Sequence, residues 1–304
     1  MRLIHITDPH LSSLDSLSLT DLRGKRLSGY LSWRKKRRHV YRPEVLAQLT
    51  EAVNSHQPDL VLLTGDLVQI GLECEMIEAA GWLRRLGPPE KVMLIPGNHD
   101  NYARDSLAAM YKHWGSYLPA DGRPAADYTA GYPVVRETQD VRLLGVNTSC
   151  VTRTFSATGE LGKDQRQRLA RTLVREPGDE RFQCLLIHHP PLPGMTERRK
   201  ALRDSGQLEA IIAQHPPDLV LYGHLHQNRE HLVGNTRIFC TATASSIYDA
   251  SFRIFDVEKR ASGWHCRMQL VTRTHSPGAN PSFEVTAESG WQAPVSGNPA
   301  STAP

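Results

Sequence analysis

Short apolar runs alternate with amphipathic stretches along the first three-quarters of the chain. Leu3–Thr7, Leu60–Thr64, Val92–Pro96, Leu143–Asn147, Cys184–His188 and Leu219–Tyr222 are compact blocks rich in Leu, Val, Ile and Met, the signature of buried strands. Between them, Glu44–His56, Glu73–Leu86, Asp105–Trp114, Lys163–Arg175 and Leu202–Gln214 space apolar residues three and four positions apart, which predicts helices with one buried face. Strand alternating with helix is the pattern of a layered α/β domain. Past Gly223 the helical spacing stops. Glu230–Val233, Thr236–Thr241, Phe252–Asp256 and Trp264–Val271 read instead as antiparallel strands. From His275 the chain turns to Pro, Ser, Gly and Ala, so one domain is expected over 1–274, with a disordered tail over 275–304.

With 39% hydrophobic residues in 304 positions, the chain can bury a core of the size globular enzymes carry. It holds no apolar run of about 18 residues, so no membrane span is expected. Met1–Asp8 runs straight into a strand pattern and leaves no place for a cleavable signal segment, which makes a cytoplasmic location the expectation. Cys74, Cys150, Cys184, Cys240 and Cys266 show no Cys-x-x-Cys spacing, against both a disulfide framework and a thiolate zinc site.

The net charge of +4 hides an asymmetry. Leu22–Pro43 contains nine Lys or Arg residues and no Asp or Glu, leaving 27 basic against 32 acidic residues elsewhere, a net −5. The positive charge is therefore local and available to an anionic partner.

The candidate chemistry falls at strand ends. Asp8 and His10 follow the first strand and Asp66 the second; Asn98, His99 and Asp100 follow the third. His188 and His189 end a later strand, and His224 and His226 follow another. In open α/β sheets the carboxyl ends of strands form the crevice where ligands bind. Imidazole and carboxylate donors without thiolate suit Mn, Fe, Zn, Co or Ni. Seven donors exceed the needs of one four-coordinate ion, so two ions sharing a carboxylate is the simplest arrangement. His5, His39, His56, His113 and His215 lie on strand faces, helix ends or surfaces and are not expected to be ligands. His189 neighbours a ligand candidate, but strand alternation points it the other way; it is a candidate substrate contact.

Taken in order, Asp8-x-His10, Gly65-Asp66, Gly97-Asn98-His99-Asp100, His188-x-Pro190 and Gly223-His224-x-His226 resemble the motif set of the calcineurin-like metallophosphoesterases, over residues 1–257. The resemblance implies the family's four-layer α/β fold, two packed β-sheets flanked by helices, and hydrolysis of a phosphodiester or pyrophosphate. It implies two divalent ions, manganese first among those above, with a solvent hydroxide between them as nucleophile. One ion would be held by Asp8, His10, Asp66 and His226, the other by Asp66, Asn98, His188 and His224. His99 would stabilise the phosphoryl charge or protonate the leaving oxygen, and Asp100 would orient His99 through a hydrogen bond.

Residues 11–42 form an insertion after the first motif, with Leu27, Tyr30 and Leu31 on one helical face, Trp33 nearby, and Arg34-Lys35-Lys36-Arg37-Arg38 beyond. Either a cap over the cleft or an arm on an anionic membrane surface would explain it, the latter placing the protein peripherally at the inner membrane face. Arg23, Arg26, Tyr30 and Trp33 are its candidate substrate contacts. A lipid nucleotide such as UDP-diacylglucosamine is one expected substrate, a cyclic nucleotide or other soluble phosphodiester a second, and a nucleic-acid strand a third. No protein partner is expected. A non-catalytic scaffold of this fold would have lost ligands, which this chain retains.

Overall fold

The computed structural model describes residues 1–11, 13–15, 17, 21–119, 127–274 and 281–293. Its strands are β1 (Arg2–Ile6), β2 (Leu60–Leu63), β3 (Val92–Leu94), β4 (Val134–Glu137), β5 (Val141–Gly145), β6 (Phe182–Leu186), β7 (Leu219–Tyr222), β8 (Arg229–Val233), β9 (Thr236–Cys240), β10 (Ser251–Arg260), β11 (Gly263–Thr274) and β12 (Ser282–Ala293). The main helices are α1 (Lys25–Ser32), a π-helical turn (Trp33–Arg37) running into α2 (Arg38–Val40), α3 (Pro43–Ser55), α4 (Glu73–Leu86), α5 (Ser106–Trp114), α6 (Lys163–Leu173) and α7 (Ser205–Gln214).

Two six-stranded mixed sheets form, in the orders β12-β11-β10-β1-β2-β3 and β4-β5-β6-β7-β9-β8. Within the first, β1, β2 and β3 are parallel; within the second, β5, β6, β7 and β9 are parallel. The apolar runs are continuous because these strands are covered on both faces. Leu3, Leu62 and Phe255 of one sheet meet Leu143, Leu186, Leu221 and Phe239 of the other in an inter-sheet core. The opposite face of the first sheet packs on α3, α4 and α5 through residues such as Ile4, Val61, Leu49, Leu83 and Trp114. That of the second packs on α6 and α7 through Leu144, Val220, Leu169 and Ile212. The result is four layers, helix–sheet–sheet–helix, as the motif resemblance implied.

The expected disordered tail is corrected over residues 282–293. They form β12, paired antiparallel to β11 along its whole length with a register shift at Leu270/Val271. Phe283, Val285, Ala287, Trp291 and Ala293 alternate with polar residues, and Trp291 packs on the inter-sheet core. The period-2 pattern was present but masked by the surrounding Pro, Ser and Gly. Residues 275–280 and 294–304 of that expectation lie outside the described residues. Strand β4 was also not predicted; its apolar content is only Val134 and Val135.

The loops after β2 and β3 touch at glycine. Gly65 has φ +83°, and a β-carbon there would overlap the main chain of Pro96 and Gly97. An L side chain in left-handed backbone costs about 1–2 kcal/mol, and overpacking adds about 1–3 kcal/mol. Gly65→Ala is therefore expected to lower Tm by roughly 4–20 °C in thermal unfolding, using about 2–4 °C per kcal/mol.

Candidate metal centre

The seven expected ligands lie in loops just past the ends of β1, β2, β3, β6 and β7, where the parallel parts of both sheets open to the same side. Five have left-handed backbone: Asp8 (φ 51°), His10 (φ 42°), Asp66 (φ 56°), His224 (φ 68°) and His226 (φ 54°). Among the described residues only Gln57 and Phe155 share this conformation without being glycine. Such backbone is disfavoured for any L residue and gathers where a surrounding structure holds side chains to a task. Short left-handed turns let consecutive loops present donors inward.

The donors converge in two groups. Donor atoms of Asp8, His10, Asp66 and His226 lie within 4.8 Å of one another, as do those of His188, His189 and His224. His226 Nε2 is 3.1 Å from Asp8 Oδ1 and 3.2 Å from His10 Nε2. Asp66 Oδ2 stands between the groups, 3.9 Å from His10 Nε2 and 3.4 Å from His188 Nε2, and Asn98 Oδ1 is 3.2 Å from His188 Nε2. Two ligands of one four-coordinate ion, each about 2.1 Å from it, lie roughly 3.4 Å apart. The spacing thus fits donors ranged around cations, with Asp66 able to serve both. The second ring nitrogens are committed elsewhere: His10 Nδ1 to the Val68 carbonyl at 3.0 Å and His188 Nδ1 to the Thr64 carbonyl at 2.6 Å. These bonds place the proton on Nδ1 and leave each Nε2 lone pair for a metal.

Burial works against the His188 imidazolium, but the Asp66 and Asp8 carboxylates outweigh it and hold His188 up at about 9. Asp66 is correspondingly held well below the usual carboxylate range by His188, against its own burial. Burial draws His224 down to about 3, and its Nε2 has no hydrogen-bond partner among the described residues.

His99 and Asp100 are arranged differently from expectation. Asp100 does not orient His99. Its carboxylate accepts main-chain N–H bonds from Asp66, Leu67 and Gly97 at 2.8 Å and from Val68 at 3.3 Å, tying the β2 and β3 loops together. The side chain turns back over its own loop, where four amide donors satisfy its buried oxygens. Orientation of His99 falls to the Gln69 carbonyl, which takes a hydrogen bond from Nδ1. Gln69 is in turn held by Glu75, whose carboxylate accepts its N–H at 2.7 Å. Burial, with Arg37 and Lys25 assisting, pulls His99 down to about 4 against the pull of Asp66.

His189 is fully buried; its Nδ1 is 2.7 Å from Thr148 Oγ1 and its ring centroid 4.5 Å from that of His224. It backs the second donor group from beneath instead of facing an open cleft. His5 is a satisfied core histidine between Thr241 and Thr64. Tyr41, which pattern reading passed over, places its hydroxyl 2.6 Å from His226 Nδ1 and stacks on His10. Burial and the Asp8 charge keep that phenol protonated, and its oxygen can still accept a hydrogen bond from His226 Nδ1–H, the tautomer that leaves Nε2 free for a metal.

The insertion packs on the body. Trp33 is 3% exposed and joins Leu14, Leu22, Ile70, Leu72 and Tyr102 in a small core, with Tyr30 stacked on it at 5.8 Å. Arg26 grips Asp105 with two bonds of 2.8–2.9 Å and donates to the Gly71 carbonyl. Arg23 is exposed. These four expected substrate contacts are thus three anchors and one surface residue: apolar burial and a carboxylate partner claim them first. Arg37 of the same segment does reach the site, its Nη1 3.3 Å from His99 Nδ1.

Two outcomes follow from this geometry. Metal uptake must displace the His188 proton, so binding should release a proton and apparent affinity should fall roughly tenfold per pH unit below about 9. Calorimetry in buffers of different ionisation enthalpy reads that release. Tyr41→Phe removes the acceptor for His226 and should weaken metal affinity or activity by about 10–100-fold, read by metal titration at unchanged Tm.

A family model described as calcineurin-like phosphoesterase matches residues 1–228. The chain is 27% identical over 285 residues to the 3′,5′-cyclic adenosine monophosphate phosphodiesterase CpdA of Escherichia coli K12, covering 90% of this chain and 89% of that one. It is 29% identical over 216 residues to a probable cyclic nucleotide phosphodiesterase of Synechococcus, with 70% and 72% coverage. Among solved structures, a dimetal phosphatase from Danio rerio superposes with TM-score 0.58 at 12% identity, covering 96% of this chain and 98% of that one. PhoD gives TM-score 0.60 at 10% identity, with 97% and 70% coverage. With its motif order, its two-sheet fold and its paired donor groups, the chain belongs to the calcineurin-like phosphoesterase family, whose members in this range are metal-dependent phosphoester hydrolases.

Proposed function

We propose that this protein hydrolyses a cyclic nucleotide or similar small phosphodiester at a centre of two divalent ions, manganese foremost among the metals its nitrogen and oxygen donors suit. The observation that carries the reading is Asp66, whose carboxylate stands between two donor groups. The choice of substrate is supported by likeness to curated cyclic-nucleotide phosphodiesterases along most of the chain. When bound, the two ions supply Lewis acidity toward phosphoryl oxygens and a water acidic enough to attack at neutral pH. The protein's part is placement. Asp8, His10, Asp66, Asn98, His188, His224 and His226 would hold the two ions. His99, pinned through its Nδ1–H to the Gln69 carbonyl and held neutral by burial, keeps an Nε2 lone pair that can take a proton from solvent and pass it to the departing ester oxygen.

A second reading, hydrolysis of a lipid nucleotide such as UDP-diacylglucosamine at an anionic membrane surface, is favoured by one feature. Leu27 (45% exposed) and Leu31 (55% exposed) lie one turn apart on α1, with Arg34, Lys35 and Lys36 exposed just beyond. No described helix is long and apolar enough to cross a membrane.

Manganese-loaded protein assayed on bis-p-nitrophenyl phosphate, cyclic AMP and UDP-diacylglucosamine in detergent separates the two. Turnover of cyclic AMP well above the lipid nucleotide is expected; a preference for the lipid nucleotide, with sedimentation on anionic vesicles, would replace the first reading by the second. His99→Asn should lower kcat by about 10²–10⁴-fold with bound metal unchanged by elemental analysis. Metal loss in that variant would move His99 into the ligand set.

A further inference from the structure

Beside the metal donors lies a cleft of about 350 Å³, within the size range of small-ligand sites. Asn98 and His99 line its inner end. Its walls carry Lys25, Arg37, Arg199 and Lys200, and no Asp or Glu. Arg199 is paired with Glu197 at 2.7 Å. Lys25, Arg37 and Lys200 share the wall with no acidic side chain lining it, next to donors that would hold further positive ions, so their mutual repulsion favours an entering anion.

Arg37 is the cation nearest the chemistry. It belongs to a basic run whose members Arg34, Lys35 and Lys36 are solvent-exposed, whereas Arg37 turns inward. The cause is the wide turn Trp33–Arg37: with Trp33 buried on the body, the π-helical spacing brings Arg37 round to the cleft. Such turns often sit at functional sites. Nη2 donates to the Gly29 carbonyl at 2.9 Å, which fixes the guanidinium plane. Gly29 is closely seated on Tyr102 and Ile70, so α1 lies hard against the cleft floor.

The remaining donors of Arg37 have nothing to do. Nε is buried without a hydrogen-bond partner, and among the described residues the guanidinium's other contacts are the Gly29 carbonyl and His99, neither of them a carboxylate. The 3.3 Å approach of Nη1 to His99 Nδ1 does not satisfy it either. That nitrogen gives its proton to the Gln69 carbonyl and so has no lone pair to offer. A guanidinium carries five donors in a planar fork matched to phosphate oxygens.

We propose that Arg37 is a substrate-contacting residue which binds a non-bridging oxygen of the phosphoryl group under attack, with Lys25 on the same wall extending the anion site. This rests on the phosphoester reading above for its substrate, but not for its anion. Lys25 lies 4.1 Å over the Tyr102 ring and donates to Thr152 Oγ1 at 2.8 Å, so it too is held at the cleft wall. The basic insertion thus contributes Arg37 and Lys25 to the cleft, while Arg26 anchors on Asp105 and Arg34, Lys35 and Lys36 remain on the surface.

The test compares Arg37→Met with wild type and with Arg34→Met, which alters an exposed member of the same run. Loss of one preorganised donor should lower kcat by about 10²–10³-fold on bis-p-nitrophenyl phosphate, with metal content and Tm unchanged. Binding of inorganic phosphate to the manganese-loaded protein, followed by calorimetry, should weaken at least tenfold in Arg37→Met and not in Arg34→Met. Unchanged phosphate affinity in a folded, metal-loaded Arg37→Met protein overturns the proposal and leaves the phosphodiesterase reading intact. Absence of hydrolysis by wild type, with phosphate binding still dependent on Arg37, would instead overturn the phosphodiesterase reading and keep the anion site. Should Arg37→Met lower Tm by more than a few degrees, Arg37→Gln, which can still donate to the Gly29 carbonyl, decides by the same two readouts.

Discussion

Four main-chain N–H groups point at one carboxylate, that of Asp100, and the geometry of the centre depends on them. Asp66 must sit in left-handed backbone to place its side chain between the two donor groups. Alone, such a turn would relax. Asp100 binds the N–H of Asp66 and of the two residues after it, and also that of Gly97, so the loops after β2 and β3 move as one body. Burial and the Asp66 charge raise the Asp100 carboxyl to about 7, and the amide donors oppose that by favouring its ionised form; a charged acceptor makes hydrogen bonds roughly twice as strong as a neutral one. The glycines at 65 and 97 allow the loops to touch. A second carboxylate repeats the device one loop further on: Glu75 accepts from Gln69, Ile70 and Leu72, and Gln69 then holds His99 and donates to the His10 carbonyl.

The sandwich supplies what these loops need in order to meet. Donors from β1, β2 and β3 belong to one sheet and those from β6 and β7 to the other. His188 reaches the first sheet directly through the Thr64 carbonyl, and the His224 N–H donates to Asp8 Oδ2 at 2.9 Å. Gly223 has the Thr7 hydroxyl and the Asp8 carboxylate where a β-carbon would lie, so the sheets come into contact at the site itself. The inter-sheet core of Leu, Phe and Trp side chains sets that separation, and close packing resists change in it. Metal chemistry at the rim is therefore coupled to apolar packing beneath it.

The basic insertion has two sides with different physics. Its inner side is an anchored structure: Trp33 and Leu22 in a small core, Arg26 on Asp105, Tyr41 on His226 and Arg37 at the cleft. Its outer side keeps Leu27, Leu31, Arg34, Lys35 and Lys36 in solvent. A charge run of this kind is ordinarily a solvated face, and for three of its five consecutive members that is what the fold makes of it.

Much of the architecture and of the ligand set was legible in the chain because local pattern carried it. Apolar runs of four or five residues gave strands, the three-and-four spacing gave α3 to α7 within a few residues, and each metal-type donor followed a strand end. Residue types and order alone pointed to nitrogen and oxygen donors without thiolate. The sequence did not say where side chains point. Whether Asp100 faces His99 or four amides, whether Trp33 faces lipid or core, and whether Arg26 or Arg37 reaches the cleft are decided by contacts between residues 30 to 80 positions apart. β12 shows the same limit from the other side: its alternation has meaning only once β11 offers an edge to pair with. Local pattern determined which residues bear chemistry; packing between distant segments determined which of them share a site, because side-chain direction and long-range pairing are properties of the assembled core.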